Sequence, residues 1–296
     1  MAPAIPEEIQ NTNLLRLAIP KGRMFAGVER LLEDAGISLR TSARDYRPFI
    51  AGGLIEAKIL KPQNLIEMLD LGTRDIGFAG ADWVQELDTD IVELLDTGLD
   101  QVRMVVAAPR RILENGELPN RTLTVASEYV QLTEAWQERA GRQDKFVKSF
   151  GSTEVFPPED ADYIIDIAAT GATLTANNLV VVEELNVSST RLYASRKAMA
   201  DSSKAKRITD FCLVLEAVIE ARGRVMLEAN VPTDRMEAVM AIFPAMKQPT
   251  ISTLSDRAGY AVKAAVKKSI VLELIPALKQ AGASDIIITN LAKVVK

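Results

Sequence analysis

The stretch Ala161–Leu179, ADYIIDIAATGATLTANNL, is the most informative part of the chain. Its apolar, β-branched run Tyr163–Ile167 predicts a buried strand that carries one acid, Asp166. A polar turn, 170–173, follows, and helix-compatible residues begin at Leu174. A strand that enters a helix through small residues presents unpaired backbone N–H groups, which favour an anion.

The residue types in this turn suit a phosphorylated sugar. Small side chains allow a phosphate to approach the backbone, and the hydroxyls of Thr170 and Thr173 add hydrogen-bond donors. Asp166, at the end of the strand, can accept two hydrogen bonds from ribose hydroxyls. The stretch therefore predicts a site for phosphate and sugar. The alternative is that Thr173 only caps the N-terminus of a surface helix.

Composition restricts the possible functions. The 296 residues leave room for two or three domains, and the net charge of −5 argues against nucleic acid as a partner. The chain has no histidine, which excludes serine–histidine catalysis, cysteine–histidine catalysis and histidine-ligated metals. Any metal must be held by oxygens, and magnesium bound partly through substrate phosphates is the expected case.

Other features predict a cytoplasmic protein. The single cysteine, Cys212, excludes an intramolecular disulfide and is expected to be a buried hydrophobe. The N-terminal residues MAPAIPEEIQ are acidic and contain proline, so they are not predicted to be a secretory signal. No apolar stretch approaches the roughly 18 residues that span a bilayer. We therefore expect no membrane partner.

Alternating strands and helices predict an α/β fold. The first hundred residues favour a mainly parallel sheet, and the alternation restarts after the predicted strand Gln101–Ala108. We expect two lobes around a cleft, like a periplasmic binding protein, with lobe I at 1–106, lobe II at 107–193, and 194–221 returning to lobe I. Residues 222–296 show the order βαββαβ of a ferredoxin-like, ACT-like regulatory domain. The alternative is an extension of the second sheet.

The motifs together resemble the long form of ATP phosphoribosyltransferase, the first enzyme of histidine biosynthesis, and the resemblance covers almost all of the chain. The segment Asp166–Leu174, followed by Asn177–Leu179, is similar to the family's phosphoribosyl-pyrophosphate loop. Weaker matches occur in the family's order along the chain. They are Lys21–Arg23, Asp45–Arg47, Ile59–Pro62, Asp75–Trp83, Gly151–Glu154, Phe243–Leu254 and the tail GASDIIITNLAKVV.

This resemblance implies an enzyme that joins ATP to phosphoribosyl pyrophosphate, giving phosphoribosyl-ATP and pyrophosphate, with Mg²⁺ as cofactor. Attack by adenine N1 on the anomeric carbon needs no protein nucleophile, because magnesium-bound pyrophosphate is already a good leaving group. The protein must position two polyanions and tolerate an oxocarbenium-like ribosyl centre. The resemblance also implies dimers that assemble into a hexamer, and inhibition by histidine.

The resemblance assigns site residues as well. For phosphoribosyl pyrophosphate they are Glu154, Asp166, Ala169, Thr170, Gly171, Ala172, Thr173 and Leu174. For ATP they are Lys21, Gly22, Arg23, Arg44 and Arg47. Asp166, Arg23 and Lys61 form the catalytic set, and Glu154 is a second candidate for the ribose or the metal. For the histidine effector they are Asn230, Met246, Gln248, Thr250 and Asp285.

Some positions depart from the family. Lys61 replaces a frequent arginine, which keeps the charge but loses bidentate geometry toward phosphate. Asn230 and Gln248 replace an aspartate and a serine of some relatives, so capture of the effector's ammonium is expected to weaken. Two other hypotheses remain: a non-catalytic binding protein with two lobes, and a regulatory paralogue that has lost turnover.

Overall fold

The computed structural model describes residues 14–40, 46–246, 248–255 and 258–296. The chain divides into two compact units, with the boundary between Thr209 and Asp210. No helix among the described residues is long and apolar enough to cross a membrane.

The first unit is built on one large sheet and a separate two-stranded ribbon. Its strands are β1 (Leu15–Pro20), β2 (Leu39–Arg40), β3 (Phe49–Ile50), β4 (Ile55–Leu60), β5 (Ile76–Gly80), β6 (Ile91–Pro109), β7 (Thr124–Ser127), β8 (Lys145–Lys148), β9 (Tyr163–Ala168) and β10 (Leu179–Ser195). The order in the eight-stranded sheet is β4-β1-β5-β10-β6-β9-β7-β8, and β2 pairs with β3.

The two ends of this sheet are parallel and its centre is antiparallel. β1 pairs in parallel with β4 and β5, and β7 pairs in parallel with β8 and β9. β10 runs antiparallel to β5 and to β6, and β6 runs antiparallel to β9. The parallel pairing predicted for the first hundred residues is therefore confirmed for β1, β4 and β5, whereas the antiparallel centre was not predicted.

The antiparallel centre consists of two long strands. The sequence predicts only Gln101–Ala108 of β6 and Arg191–Ser195 of β10, but the strands pair from Leu179 opposite Pro109 to Ser195 opposite Ile91. Several register shifts interrupt this pairing, and such irregularities bend a strand pair. The predicted lobe boundary at 106/107 falls inside β6, and the lobe limits stay a prediction.

Helices cover the sheet of the first unit. They are α1 (Phe25–Ala35), α2 (Pro62–Asp70), α3 (Ala81–Leu87), α4 (Val130–Arg139), α5 (Ala172–Ala176), α6 (Arg196–Ala200) and α7 (Ser202–Arg222), which continues into the second unit. α2 begins at Pro62, where a missing N–H is tolerated. Its residues Leu65, Ile66 and Leu69 are fully buried, and each such side chain stabilises the fold by about 1.5–3 kcal/mol.

A buried polar cluster joins α3 to α4. The Glu86 carboxylate accepts hydrogen bonds from the backbone N–H groups of Val130, Gln131 and Leu132 at 2.6, 3.1 and 3.0 Å. These are first-turn N–H groups without intrahelical partners, so Glu86 caps α4 from another helix. Asp82 of the same helix accepts a 2.7 Å hydrogen bond from the Tyr129 hydroxyl. The cluster links the two ends of the sheet.

The second unit is a four-stranded antiparallel sheet with helices. Its strands are β11 (Arg224–Pro232), β12 (Thr250–Thr253), β13 (Gly259–Lys267) and β14 (Ser284–Asn290), and its helices, besides the end of α7, are α8 (Met236–Met240) and α9 (Val271–Ala281). The strand order β12-β13-β11-β14 is that of a ferredoxin-like fold. The predicted fold class, an α/β core followed by a ferredoxin-like domain, is confirmed.

Cys212 lies on α7 and is half-buried. Burial, with a smaller effect from Glu216, raises the pKa of its thiol to about 11. A thiol with this pKa is protonated at neutral pH, which fits the predicted role as a small hydrophobe rather than a nucleophile.

Candidate active site

The segment after β9 adopts the predicted strand, turn and helix. The turn leads into α5 through Gly171, whose φ of +77° lies in the left-handed region. A glycine adopts this conformation without steric strain. A Cβ at Gly171 would meet no described atom within 4 Å. Space is therefore open beside the turn, as a ligand requires.

The loop 169–173 exposes most of its side chains. Ala169, Thr170, Ala172 and Thr173 are exposed, and buried Leu174 anchors the loop to the core. Among the described residues, none hydrogen-bonds the Thr173 hydroxyl, and no side chain caps α5, whose N-cap is Gly171. The alternative that Thr173 only caps a helix is therefore wrong. Its hydroxyl is available to a ligand.

Asp166 lies beside this loop, near the carboxyl end of β9. Its carboxylate accepts a 2.7 Å hydrogen bond from the Ile167 N–H. Burial raises the pKa of Asp166 to about 6; the Ile167 N–H and the Thr153 hydroxyl oppose that rise, and the neighbouring charges of Glu128 and Glu154 add to it. The carboxyl group is thus half-buried, acidic neighbours surround it, and its ionised form is disfavoured before substrate binds.

Two adjacent strands bring further residues to Asp166. β7 pairs with β8 up to Ser127 opposite Lys148, and with β9 at Ala126 opposite Ile164. The carboxyl ends of these parallel strands meet at one edge, where α/β proteins place ligands. Thr153 lies in the segment after β8. Its buried hydroxyl is 2.8 Å from that of Ser149.

Glu128 connects the two ends of the sheet. It directly follows β7 and is half-buried. Burial raises its pKa, while the positive charges of Lys148 and Lys61 lower it. Lys61 follows β4, at the N-cap of α2, so the carboxyl ends of β4 and of β7 approach each other. Predicted Lys61 therefore acts electrostatically on Glu128, which in turn acts on Asp166.

Sequence reasoning missed Glu128, Lys148 and Thr153. Thr153 lies inside the Gly151–Glu154 match but received no role, and Glu128 and Lys148 belong to no motif. The strand pairing that brings Glu128 and Lys148 to Asp166 is not visible in the sequence. The available signal was positional. Glu128 directly follows β7, Lys148 is the last residue of β8, and Thr153 lies in the segment after β8, positions where α/β proteins place ligands.

The other predicted cationic residues lie in the first part of the chain. Lys21 follows β1 just as Lys61 follows β4, and the two strands are parallel neighbours. The Lys21 ammonium donates a 2.9 Å hydrogen bond to the Tyr46 hydroxyl and lies 4.9 Å from the centre of that ring. Lys21 and Lys61 therefore lie side by side at one edge.

The remaining ATP residues are held by local contacts. The Arg23 guanidinium donates a 3.1 Å hydrogen bond to the carbonyl of Asp100. Arg47 lies 3.9 Å from the Glu56 carboxylate, and both side chains are partly exposed. Gly22 has a φ of +90° and open space beside it. Predicted Arg44 lies outside the described residues.

The carboxylates at this edge fit a metal only in part. Asp166, Glu128 and Glu154 supply the oxygen atoms that magnesium prefers. Among residues 14–40, 46–246, 248–255 and 258–296, however, no group of three or more acidic, histidine or cysteine side chains is arranged to hold a metal ion. Magnesium held through substrate phosphates stays a prediction.

The predicted effector residues divide between two places in the second unit. The Asn230 side chain donates a 2.9 Å hydrogen bond to the Asp285 carboxylate. Thr250 lies on β12, at the opposite edge of the sheet from β14. Met246 and Gln248 precede β12 and are exposed. The structure brings Asn230 and Asp285 together and leaves the other three apart from them.

Comparisons with known proteins identify the family of the chain. A family model described as HisG: ATP phosphoribosyltransferase matches residues 61–217, and one described as HisG, C-terminal domain, matches 221–293. A protein named ATP phosphoribosyltransferase from Chlorobium phaeobacteroides is 34% identical over 288 residues, covering 96% of this chain and 98% of its own. The one from Pelotomaculum thermopropionicum is 35% identical over 288 residues, covering 95% and 99%.

A solved structure points to the same family. The ATP phosphoribosyl transferase (HisG:HisZ) complex from Thermotoga maritima matches with a TM-score of 0.62 and 28% identity, covering 70% of this chain and 98% of that chain. Family models, full-length relatives and fold thus all give the same family. The chain belongs to the ATP phosphoribosyltransferase family.

Proposed function

We propose that this chain transfers the phosphoribosyl group of phosphoribosyl pyrophosphate to N1 of the adenine ring of ATP, the first step of histidine biosynthesis. The observation that carries the proposal is the exposed loop 169–173 beside Asp166, with Lys61 acting electrostatically on the neighbouring Glu128. Such a site offers a phosphate cradle, a ribose acceptor and a cation to a single ligand. Phosphoribosyl pyrophosphate contains the three matching groups.

The loop 169–173 holds the 5′-phosphate. Backbone N–H groups at the start of α5 and the hydroxyls of Thr170 and Thr173 are the donors. The Thr170 hydroxyl already accepts a 3.3 Å hydrogen bond from the Ala172 N–H, so its own proton remains for phosphate. Glycine at position 171 keeps the approach open.

Asp166 binds the ribose hydroxyls and stabilises positive charge on the ribosyl ring. Two ribose hydroxyls next to the carboxylate replace the water lost on burial and favour its ionised form. A carboxylate in a partly water-excluded site then interacts strongly with an oxocarbenium-like centre. Glu154, close enough to raise the pKa of Asp166, lies on the same side and can bind the same sugar.

Cations from both ends of the sheet hold the pyrophosphate and the triphosphate. Lys61 and Lys148 lie at the edge where Glu128 connects β4 with β7. Lys21, Arg23 and Arg47 provide positive charge from the first part of the chain, and the family pattern adds Arg44. The protein supplies positioning and charge neutralisation rather than a nucleophile. Magnesium, when bound to the phosphates, supplies further neutralisation of the leaving group.

We propose regulation by histidine at the second unit. The Asn230–Asp285 hydrogen bond supports a polar pocket there, because the Asp285 carboxylate can attract the effector's ammonium group. The predicted residues Met246, Gln248 and Thr250 lie at the other edge of the sheet, so a pocket that uses all five requires a second copy of the chain. Asp285→Asn should weaken inhibition by millimolar histidine without changing uninhibited turnover. Unchanged inhibition would show that the effector binds elsewhere.

We also propose a cytoplasmic homo-oligomer, with dimers that form a hexamer. The Thermotoga maritima relative was solved as a complex. In the second unit, Ile251 and Ile287 are 45% and 55% exposed on the two outer strands β12 and β14, and exposed apolar side chains on sheet edges favour association. Light scattering of the purified protein measures the stoichiometry directly.

One assay tests the proposed reaction. Purified protein is mixed with ATP, phosphoribosyl pyrophosphate and magnesium, and phosphoribosyl-ATP is followed by its absorbance. We expect product that requires all three components. Binding of both substrates without product would instead identify a non-catalytic paralogue.

A further inference from the structure

Glu128 is a charged residue at the centre of the site that the proposed reaction does not use. It directly follows Ser127, which pairs with Lys148 on β8. Continuing the pairing of Ala126 with Ile164 places Glu128 opposite Asp166. Parallel partners point to the same face of a sheet, so the two carboxyl groups share the edge that binds the sugar.

The Glu128 carboxylate is half-buried and makes no hydrogen bond or close ion pair with any described residue. A Cβ at Gly151 would lie 3.9 Å from its Oε1 atom, so Glu128 lies against the turn that leads to Thr153 and Glu154. Lys61 and Lys148 act on it electrostatically from two different strands. The carboxylate is thus within electrostatic range of two cations and forms a hydrogen bond or close ion pair with neither.

A carboxylate at this place opposes the binding of a polyanion. Lys61 and Lys148 attract pyrophosphate, whereas Glu128 repels it and partly neutralises both lysines. A phosphate site selected only for affinity would carry a neutral donor here. A leaving group that must depart after each turnover is a reason to limit affinity, because product release sets the rate of many enzymes.

We infer that Glu128 is a built-in counter-charge for Lys61 and Lys148 that lowers the affinity of the site for released pyrophosphate. The inference rests on the proposed function, since it takes the site to be the one that binds pyrophosphate. In the empty site Glu128 offsets part of the charge of the two ammonium groups. When pyrophosphate binds, its charges replace that of Glu128 as the partners of the lysines, and Glu128 then favours departure of the product.

The test is the dissociation constant of inorganic pyrophosphate, measured by calorimetry with magnesium on the full chain and on Glu128→Gln. Glutamine keeps the shape and removes the charge. We expect pyrophosphate to bind roughly tenfold more tightly, the effect of one like charge acting at a partly screened distance. Its inhibition constant as a product should fall by a similar factor. Loss of structure cannot produce such a gain.

A matched variant controls for net charge. Glu134→Gln removes one negative charge from an exposed position on α4 and should leave pyrophosphate affinity unchanged. In a second variant, Lys148→Met, affinity should fall, because an attractive charge is lost. The variants are first compared with the natural sequence by circular dichroism.

Two results would overturn the inference. Weaker pyrophosphate binding in Glu128→Gln would show that Glu128 contacts the ligand as an acceptor, and unchanged binding would show that its charge is not felt there. Either result leaves the proposed function intact, provided that the unchanged chain forms phosphoribosyl-ATP. If the unchanged chain binds no pyrophosphate and forms no product, the proposed function itself fails.

Discussion

Asp166→Asn should make the protein more stable at neutral pH. In the folded protein, burial and acidic neighbours raise the pKa of Asp166 from 3.8 to about 6. Because the folded-state pKa lies above the unfolded value, ionisation favours unfolding as pH rises from about 4 to about 6. The loss of stability caused by the Asp166 charge is complete above the folded-state pKa and absent below the unfolded-state pKa.

The magnitude follows from that shift. At about 1.4 kcal/mol per pKa unit, the charged carboxylate lowers the free energy of unfolding by up to about 3 kcal/mol at pH 7.5. Asparagine keeps an oxygen that can accept from the Ile167 N–H and the Thr153 hydroxyl, but it removes the charge. For a chain of this size the gain corresponds to a rise in melting temperature of roughly 5–10 °C.

Differential scanning fluorimetry of both proteins between pH 4 and pH 8 measures this effect. We expect the variant to melt higher at pH 7.5, and we expect the difference to disappear near pH 4. A variant that is less stable at pH 7.5, or a difference that does not change with pH, would show that the Asp166 charge does not destabilise the folded protein. Asp166→Asn should also reduce turnover, because the same carboxylate charge that destabilises the fold is proposed to stabilise positive charge on the ribosyl ring.

Two further variants test buried acids whose charge is stabilising. Asp144→Asn should lower stability by about 3–5 kcal/mol at neutral pH, because it removes the charged partner of Arg142, at 2.6 Å from a side chain only 14% exposed. Burial raises the pKa of Asp144, but hydrogen bonds from Arg142, the Leu123 N–H and Tyr163 lower it more, so the folded-state pKa lies below its usual value. The stability loss of Asp144→Asn should therefore shrink as pH falls through that pKa. Urea unfolding at pH 7.5 and at pH 3 measures both the loss and its pH dependence. Glu86→Gln should cost about 1–2 kcal/mol, since a neutral side chain caps the first turn of α4 less well; an equally stable variant in urea unfolding would contradict the assigned role.

The sequence predicts most of the outer strands and helices because they follow simple periodic patterns. The run Tyr163–Ile167 is apolar and β-branched, and β9 is Tyr163–Ala168. In the second unit, the predicted order of strands and helices is the observed one. In both cases burial of one face determines the spacing of apolar residues, and that spacing can be read within a single short segment of sequence.

The antiparallel centre could not be predicted in the same way. After buried Leu179, β10 continues with VVVEEL, a mixture of half-buried and exposed residues interrupted by register shifts. Ser188, Ser189 and Thr190 are buried polar residues in its middle, and a polar run predicts a turn rather than a strand. Their burial depends on pairing with distant parts of the chain.

The candidate site shows the same division. The loop 169–173 and Asp166 are adjacent in sequence, so their shared role could be predicted from one stretch. Glu128 and Lys148 reach Asp166 only through strand pairing. Glu86 was not recognised as a cap, because the amides it binds belong to a helix 44 residues later.

The most direct test of the account is the rate of phosphoribosyl-ATP formation by the double variant Asp166→Asn, Thr173→Ala. Its matched control, Asp160→Asn with Thr122→Ala, changes the same residue types at exposed positions outside the loop. If the loop and Asp166 hold the ribosyl group, turnover should fall by orders of magnitude in the first variant alone, with the fold and ATP binding retained. Full activity of that variant would contradict the assignment of the site.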